Sequence, residues 1–165
     1  MSAVPEVVTR DRQPYVGIRT RVTMAGLGGL GARFDEVFAW LGARGLAPAD
    51  APFFRYNVID MAGELQVDVG VPVAAPVDGD EHVVAGVLPA GRYATVTHEG
   101  HPAELYGVTE ALLGWAREQG LAWDMSPGEE GEHWGSRVEF YRTNPAEEPD
   151  MNKWVTQLAF RLADG

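Results

Sequence analysis

The chain contains no cysteine, which removes a disulfide framework and thiolate chemistry together. Lysine is nearly missing as well: Lys153 stands alone, and the formal net charge over 165 residues is −11. Nucleic-acid binding needs clustered lysine and arginine to replace counterions, so this balance works against it. An acidic protein repels anions at long range and mildly attracts cations. Serine occurs only at Ser2, Ser126 and Ser136, and no nucleophile elbow surrounds any of them. No apolar run approaches the ~18 residues of a membrane span. Residues 1–6 have neither the basic region nor the apolar core of a signal peptide. The expectation is a cytoplasmic protein without membrane or direct nucleic-acid contact.

What is there is ordinary for a globular domain, 45% hydrophobic and 22% charged residues, enough for a single domain over 1–165 with a real core. Residues 7–9 read as a short strand and 11–14 as a turn. Residues 15–22 alternate, with Val16, Ile18, Thr20 and Val22 against Gly17, Arg19 and Arg21, as in a half-exposed strand. A glycine-rich flexible joint at 25–31 leads to a helix over 32–44, where Phe34, Val37, Phe38 and Leu41 follow helical spacing and Gly45 stops it. Two strands follow, 53–59 and 65–73, with a turn at Asp60-Met61-Ala62-Gly63 between them. The second sets Leu65, Val67, Val69, Val71 and Val73 on one face and Gln66, Asp68 and Gly70 on the other.

After a Pro/Gly/Asp linker at 74–80 the pattern starts again. Residues 83–88 and 92–98 read as a hairpin around Pro89-Ala90-Gly91, 102–119 as a helix, and 137–143 and 153–162 as strands joined by an acidic loop. Trp40 and Trp115 are each followed, after four residues, by Gly-Leu-Ala. The repeat is a two-fold duplication, with halves at about 4–73 and 82–163 and a linker at 74–81. The matched tryptophans read as core residues at equivalent helix positions. Tyr56 pairs with Tyr141 further on, so the second half carries extra residues in a loop over 123–136, and Phe54 becomes the counterpart of Glu139.

Trp134-Gly135-Ser136-Arg137-Val138-Glu139-Phe140-Tyr141 is the informative stretch. It places a carboxylate in a β-branched and aromatic run. Arg137, Glu139 and Tyr141 share one strand face; with Val138 and Phe140 packed on a helix, Glu139 and Tyr141 would line the opposite side. A carboxylate there is solvated, paired with Arg137 or Arg142, protonated, or waiting for a cation. Two related halves leave a groove between them, where small-molecule pockets favour forming. A glutamate replacing an aromatic in a duplicated frame is expected to face it.

Other signals carry less. Gly26-Leu27-Gly28-Gly29-Leu30-Gly31 satisfies G-x-G-x-x-G after a strand and before a helix. The preceding strand carries Arg19 and Arg21, however, Asp60 comes too late to be the ribose acid, and the following strands look like a hairpin. His98-Glu99-Gly100-His101 is not H-E-x-x-H, and no spacing supplies a third ligand from His82, Glu104 or His133. No metal or cofactor is expected. Residues 125–132, with Glu129, Glu130 and Glu132, read as a solvated loop. Its flanks Trp123 and Trp134 would be either a lid over the groove or packed edges.

The arrangement resembles the GyrI-like small-molecule-binding domain, shared by gyrase-inhibitor-like proteins and the effector-binding domains of multidrug-responsive activators. The resemblance rests on Ala51-Pro52-Phe53-Phe54-Arg55-Tyr56, on 65–73, on Leu88-Pro89-Ala90-Gly91-Arg92-Tyr93-Ala94, on 134–141 and on 149–160, and covers about 15–162. It implies an α+β fold of two pseudo-symmetric β-α-β-β (SH2-like) units, about eight antiparallel strands and two helices around a central groove. It also implies a glutamate among aromatics that receives lipophilic cationic compounds. By motif these are Glu139 and Tyr141, with Phe54 and Tyr56 from the other half and Tyr106, Trp123 and Trp134 as further walls. With only 14 residues before Tyr15 and no helix-turn-helix, the expectation is a stand-alone binding domain.

Two functions fit these residues. A binding module would sequester or sense lipophilic, often cationic aromatic compounds through Glu139 and the surrounding rings. A hydrolase, as the resemblance also implies, would open strained electrophilic rings of DNA-alkylating natural products with water, using Glu139 as general acid or base beside Tyr141. A protein-interaction module would instead show an exposed apolar patch.

Overall fold

The computed structural model describes residues 3–60 and 62–164; Met61 of the expected turn lies outside them. The strands are β1 (Glu6–Arg10), β2 (Gln13–Thr23), β3 (Phe53–Ile59), β4 (Glu64–Pro72), β5 (Val84–Leu88), β6 (Gly91–Glu99), β7 (Met125–Gly128), β8 (Gly131–Trp134), β9 (Arg137–Tyr141) and β10 (Val155–Arg161). Helix α1 (Phe34–Ala43) separates β2 from β3, and α2 (Leu105–Glu118) separates β6 from β7. Every strand pairing is antiparallel, and eight strands run in the order β1-β6-β10-β9-β3-β4-β2-β5. That order reads the same from either end once β1 is exchanged with β5, β6 with β2, β10 with β4 and β9 with β3. The two helices and the curled sheet enclose a groove, the α+β architecture expected from the sequence.

The expected hairpin at 83–98 does not form. Strand β5 pairs with β2, and β6 pairs with β1 and β10. Pro89 and Ala90 lie between Leu88, opposite Gln13, and Gly91, opposite Arg10, so the segment Pro89-Ala90-Gly91 does not reverse the chain, which carries straight on along its partner. It does the same at Asp11 and Arg12. Arg10 lies opposite Gly91 and Gln13 opposite Leu88, so the two breaks face one another and the register continues without a slip. The β1-β2 and β5-β6 segments thereby form one long ribbon that joins the two ends of the sheet.

The repeated Gly-Leu is a helix stop used twice. Gly45 (φ 67°) and Gly120 (φ 71°) adopt the left-handed conformation that a side chain disfavours. The amides of Leu46 and Leu121 donate back to the carbonyls of Leu41 and Ala116, at 3.0 and 2.9 Å, and those of Gly45 and Gly120 to Gly42 and Arg117. This is the Schellman arrangement, in which the residue after the glycine packs on the helix end. Leu46 and Leu121 both lie against the main core, and so do Trp40 and Trp115.

The glycine-rich stretch is not a loose joint. Residues Met24–Arg33 form a 3₁₀ helix, with the Thr23 hydroxyl accepting from the Gly26 amide at 3.3 Å. At three residues per turn, Leu27 and Leu30 share a face, and both pack into the core. The loop expected at 125–132 is likewise structured: β7 and β8 form a hairpin, and β8 pairs with the end of β3.

The sheet has an apolar cluster on each face. The larger joins Val16, Val67, Val69, Leu158 and Phe160 to Val37 and Leu41 of α1 and Leu112 of α2. The smaller, Tyr15, Phe53, Leu88, Tyr93, Val138, Phe140 and Ala159, draws on strands from both ends of the sheet and fills its curl. Val138 and Phe140 therefore do not pack on a helix. The face of Glu139 and Tyr141 is the one that looks toward the helices, because the curl is already filled by side chains from its own strands.

Asp68 is fully buried on the curl side. It accepts from the Tyr15 hydroxyl at 2.5 Å and from Arg19 Nε and Nη2 at 2.9 and 3.1 Å. Arg55 adds bonds to the Tyr15 hydroxyl and to the carbonyls of Val87 and Gly135. Burial and the neighbouring Asp68 carboxylate push the Tyr15 phenol up to about 12. No helix among the described residues is long and apolar enough to cross a membrane.

Candidate ligand groove around Glu139

Strands β3 and β9 pair at the centre of the sheet, where Phe54 lies opposite Glu139. The same cross-sheet row continues to Leu158 on one side and Val69 on the other. A single carboxylate thus interrupts a row of leucine, phenylalanine and valine. Tyr56 and Tyr141, two residues along from Phe54 and Glu139, share this face by the alternation of a strand.

Both tyrosine hydroxyls donate to one oxygen of the carboxylate. Tyr141 reaches Glu139 Oε1 at 2.7 Å and Tyr56 reaches it at 3.0 Å. Oε2 accepts no bond from the described residues. Phe34, the first residue of α1, stacks on Phe54 with centroids 5.3 Å apart and meets Tyr141 edge-on at 6.0 Å. Phe54 also meets Tyr141 at 5.1 Å and Tyr56 at 6.5 Å, both near perpendicular. The four rings form a collar around a half-buried carboxylate.

Burial holds the Glu139 carboxyl above its ordinary value, against the pull of the Tyr141 and Tyr56 hydroxyls and the charge of Arg137. The two phenols are raised well above theirs by burial and then by the Glu139 carboxylate. Proton donors therefore stay protonated around an acid that gains and loses its proton more easily than they do. The arrangement can offset an organic cation, or exchange a proton with a bound molecule.

Of the residues singled out from the sequence, Glu139, Tyr141, Phe54 and Tyr56 come together. Trp123 and Trp134 form a separate aromatic group with Phe160, with centroids 5.7 to 5.9 Å apart. Trp134 is buried in the main core. Tyr106 belongs to neither group: it is the second residue of α2, 64% exposed, with no ring contact among the described residues. Two groove residues were not singled out. Phe34 is an apolar helix position by its spacing, and helical spacing cannot tell a core ring from a groove ring. Arg137 was visible by alternation, since it shares the face of Glu139.

His98 Nε2 lies 3.2 Å from Glu104 Oε1, and His101 Nδ1 accepts from the Ala103 amide. Among the described residues no group of three or more acidic or histidine side chains is placed to hold a metal. A hollow of about 310 Å³ lies away from Glu139, bounded by Asp124, Met125, Ser126, His133, Trp134 and Gly135. Its one carboxylate, Asp124, is already paired with Arg161 at 2.9 Å, so the groove and not this hollow holds the uncommitted chemistry.

Among solved structures, the fold matches EcmrR in its complex with DNA, at TM-score 0.78 and 15% identity, over 98% of this chain and 58% of that one. The chain thus spans a little over half the length of that protein. It matches SAV2435 bound to tetraphenylphosphonium at TM-score 0.67 and 10% identity, over 98% of this chain and 94% of that one. A hydrolase from Listeria innocua matches at TM-score 0.60 and 12% identity, over 96% and 91%. No sequence relative is found among curated proteins. Residues 3–163 match the family described as the GyrI-like small molecule binding domain. With the family matched over nearly its whole length and the fold matched independently, the chain belongs to the GyrI-like small-molecule-binding domain family.

Proposed function

We propose that this protein takes lipophilic aromatic compounds, cations among them, into the groove between halves at about 4–73 and 82–163, with Glu139 as the buried counter-charge. The observation that carries this reading is a half-buried carboxylate with one oxygen held by Tyr56 and Tyr141 and the other open, inside a collar that includes Phe34 and Phe54. Ring faces attract organic cations, and a desolvated carboxylate adds a charge term larger than it would be in water. Such a site reads charge, flatness and apolar area with few directional bonds, which makes it tolerant of many ligands. That SAV2435 is bound to tetraphenylphosphonium supports the ligand class. With a net charge of −11, the protein acts on small molecules in the cytoplasm and not on nucleic acid directly.

The test is calorimetric titration of tetraphenylphosphonium into wild type and Glu139→Gln. Glutamine keeps the shape and removes the charge. A loss of roughly tenfold or more, about 1.4 kcal/mol, is expected. Equal affinity in the two proteins would make Glu139 a bystander.

A second reading is favoured by the raised carboxyl of Glu139 beside two phenols. Here Glu139 takes a proton from water as the water oxygen bonds to a carbon of a strained electrophilic ring. The ring bond that breaks leaves its electron pair on the departing atom, which receives the proton back from Glu139, while the Tyr141 hydroxyl orients the carboxylate. Mass spectrometry of a cyclopropane-bearing DNA alkylator incubated in isotopically labelled water tests it. Labelled ring-opened product formed by wild type and lost in Glu139→Gln, with binding retained, is the expected result for an enzyme.

A further inference from the structure

Arg137 lies on the same face of β9 as Glu139, two residues before it. Its guanidinium carbon stands 4.7 Å from the centroid of Trp134 and 4.5 Å from that of Phe160. Nε is buried and without a hydrogen-bond partner, and among the described residues no carboxylate or carbonyl accepts from any nitrogen of this side chain. Guanidinium carries five N–H donors and cannot give up its charge; here the Nε–H is buried without an acceptor, which is costly, and the Nη groups make no bond to the described residues. The nearby acids attract its charge through space, but none accepts a hydrogen bond from it. Glu139 Oε1 is taken by two phenols, Glu132 accepts from Trp134 Nε1 at 3.4 Å, and Glu110 lies on the exposed side of α2.

Arg55, also half-buried and also with an unbonded Nε, makes the contrast. Its Nη groups give three hydrogen bonds, to the Tyr15 hydroxyl and to two carbonyls. Arg137 instead has two aromatic faces that fix the plane of its fork and leave the fork empty. Rings that hold a guanidinium without satisfying it pre-organise it for a planar acceptor. The helix-facing side of β9 therefore carries two polar positions that no group among the described residues fills, one beside each aromatic group. One is an acceptor at Glu139 Oε2 and the other a donor at Arg137. Two residues along one strand separate them by roughly 7 Å.

We infer that Arg137 is a second ligand-recognising position in the groove, reading a carboxylate or carbonyl oxygen, so that the preferred ligands are flat aromatic molecules carrying an acceptor about one ring away from a cationic or N–H donating group. The inference rests on the groove being the binding site. It changes the ligand class from simple lipophilic cations to amphoteric ones. A zwitterion of that spacing neutralises Glu139 and Arg137 together and leaves no buried charge alone.

Rhodamine B and its ethyl ester separate the possibilities. They share one xanthylium cation and differ in whether the pendant ring bears a carboxylate or an ester. The acidic protein and Glu139 on their own favour the ester, which has the greater positive charge. Fluorescence anisotropy of both dyes is measured with wild type and with Arg137→Met, which keeps the length and apolar contact of the stem. Wild type is expected to bind the acid more tightly than the ester by roughly tenfold, the effect of a charge-assisted pair, and Arg137→Met to reverse that order. Should the methionine variant fail to fold, Arg137→Lys, which keeps the charge but loses the planar fork, is expected to shrink the preference. A wild type that prefers the ester overturns the inference, and so does a preference for the acid that survives both substitutions. If neither dye binds wild type, the groove reading falls and this one falls with it.

Discussion

Phe54 and Glu139 face each other across the central pair of strands. They occupy equivalent places in a strand order that reads the same from both ends, yet one is a ring and the other a carboxylate. The middle of the groove is therefore charged on one side and aromatic on the other, and the proposed binding of flat cations uses both sides. Replacing Phe54 by leucine keeps the apolar volume and removes the ring face. Tetraphenylphosphonium affinity is expected to fall by about 1 kcal/mol, and Phe34→Leu to act in the same direction through the ring stacked on it. Calorimetry that finds both variants unchanged would remove the rings from the binding site.

Tyr141→Phe and Tyr56→Phe each take away one donor to Glu139 Oε1. Those donors favour the charged carboxylate, so losing either moves the Glu139 carboxyl further up. The move is expected to be larger for Tyr141, whose bond is shorter at 2.7 Å against 3.0 Å. Carbon-detected NMR titration of labelled glutamate reads both values. A downward move in either variant would contradict the geometry.

The raised carboxyl also links stability to pH. Burial places the folded-state value of Glu139 above the ordinary 4.5, so between the two values the folded state holds more protons than the unfolded chain. Stability relative to Glu139→Gln is expected to be highest below the ordinary value and to be lost as pH rises through the folded one. Affinity for tetraphenylphosphonium, which does not titrate, should rise over the same window because the cation favours the ionised acid. Urea unfolding and calorimetry across that pH range check both slopes. A stability difference that is flat with pH would mean that burial does not control this acid.

The Asp68 network lies on the opposite face of the sheet and serves a separate purpose. Removing its arginine in Arg19→Leu leaves a buried carboxylate with Tyr15 alone. Stability is expected to drop by about 1–3 kcal/mol, because Asp68 is buried but Arg19 is half exposed and water partly replaces it. The affinity for tetraphenylphosphonium should stay within twofold, roughly 0.4 kcal/mol. Urea unfolding and calorimetry on the same sample separate the two effects. A large loss of affinity would mean that the two faces of the sheet are coupled.

Much of this architecture was legible in the residues because it depends on local chemistry. Alternation located β2, β3, β4 and β9, helical spacing located α1 and α2, and the repeated Trp-x₄-Gly-Leu-Ala marked two helix ends that close in the same way. Glu139, Tyr141, Phe54 and Tyr56 were found together because a carboxylate in an aromatic strand is conspicuous, and because the repeat supplied its opposite number. Leu27 and Leu30, three residues apart, hold the period of the 3₁₀ helix, but the glycines around them carry no side chain to show it.

The remaining features were decided only by contacts distant in the chain. Whether β5 folds back on β6 or crosses to β2 depends on the ribbon partner that β1 and β2 offer, more than 60 residues away. Which face of β9 meets the helices depends on what already fills the curl, and Tyr15, Phe53 and Tyr93 fill it from three other strands. Phe34 joins the collar because α1 starts directly over Phe54. Arg137 is left without an acceptor because Trp134 and Phe160 close around it from two different strands. Residue type and spacing determine which side chains share a face, whereas the packing of whole elements determines what that face meets.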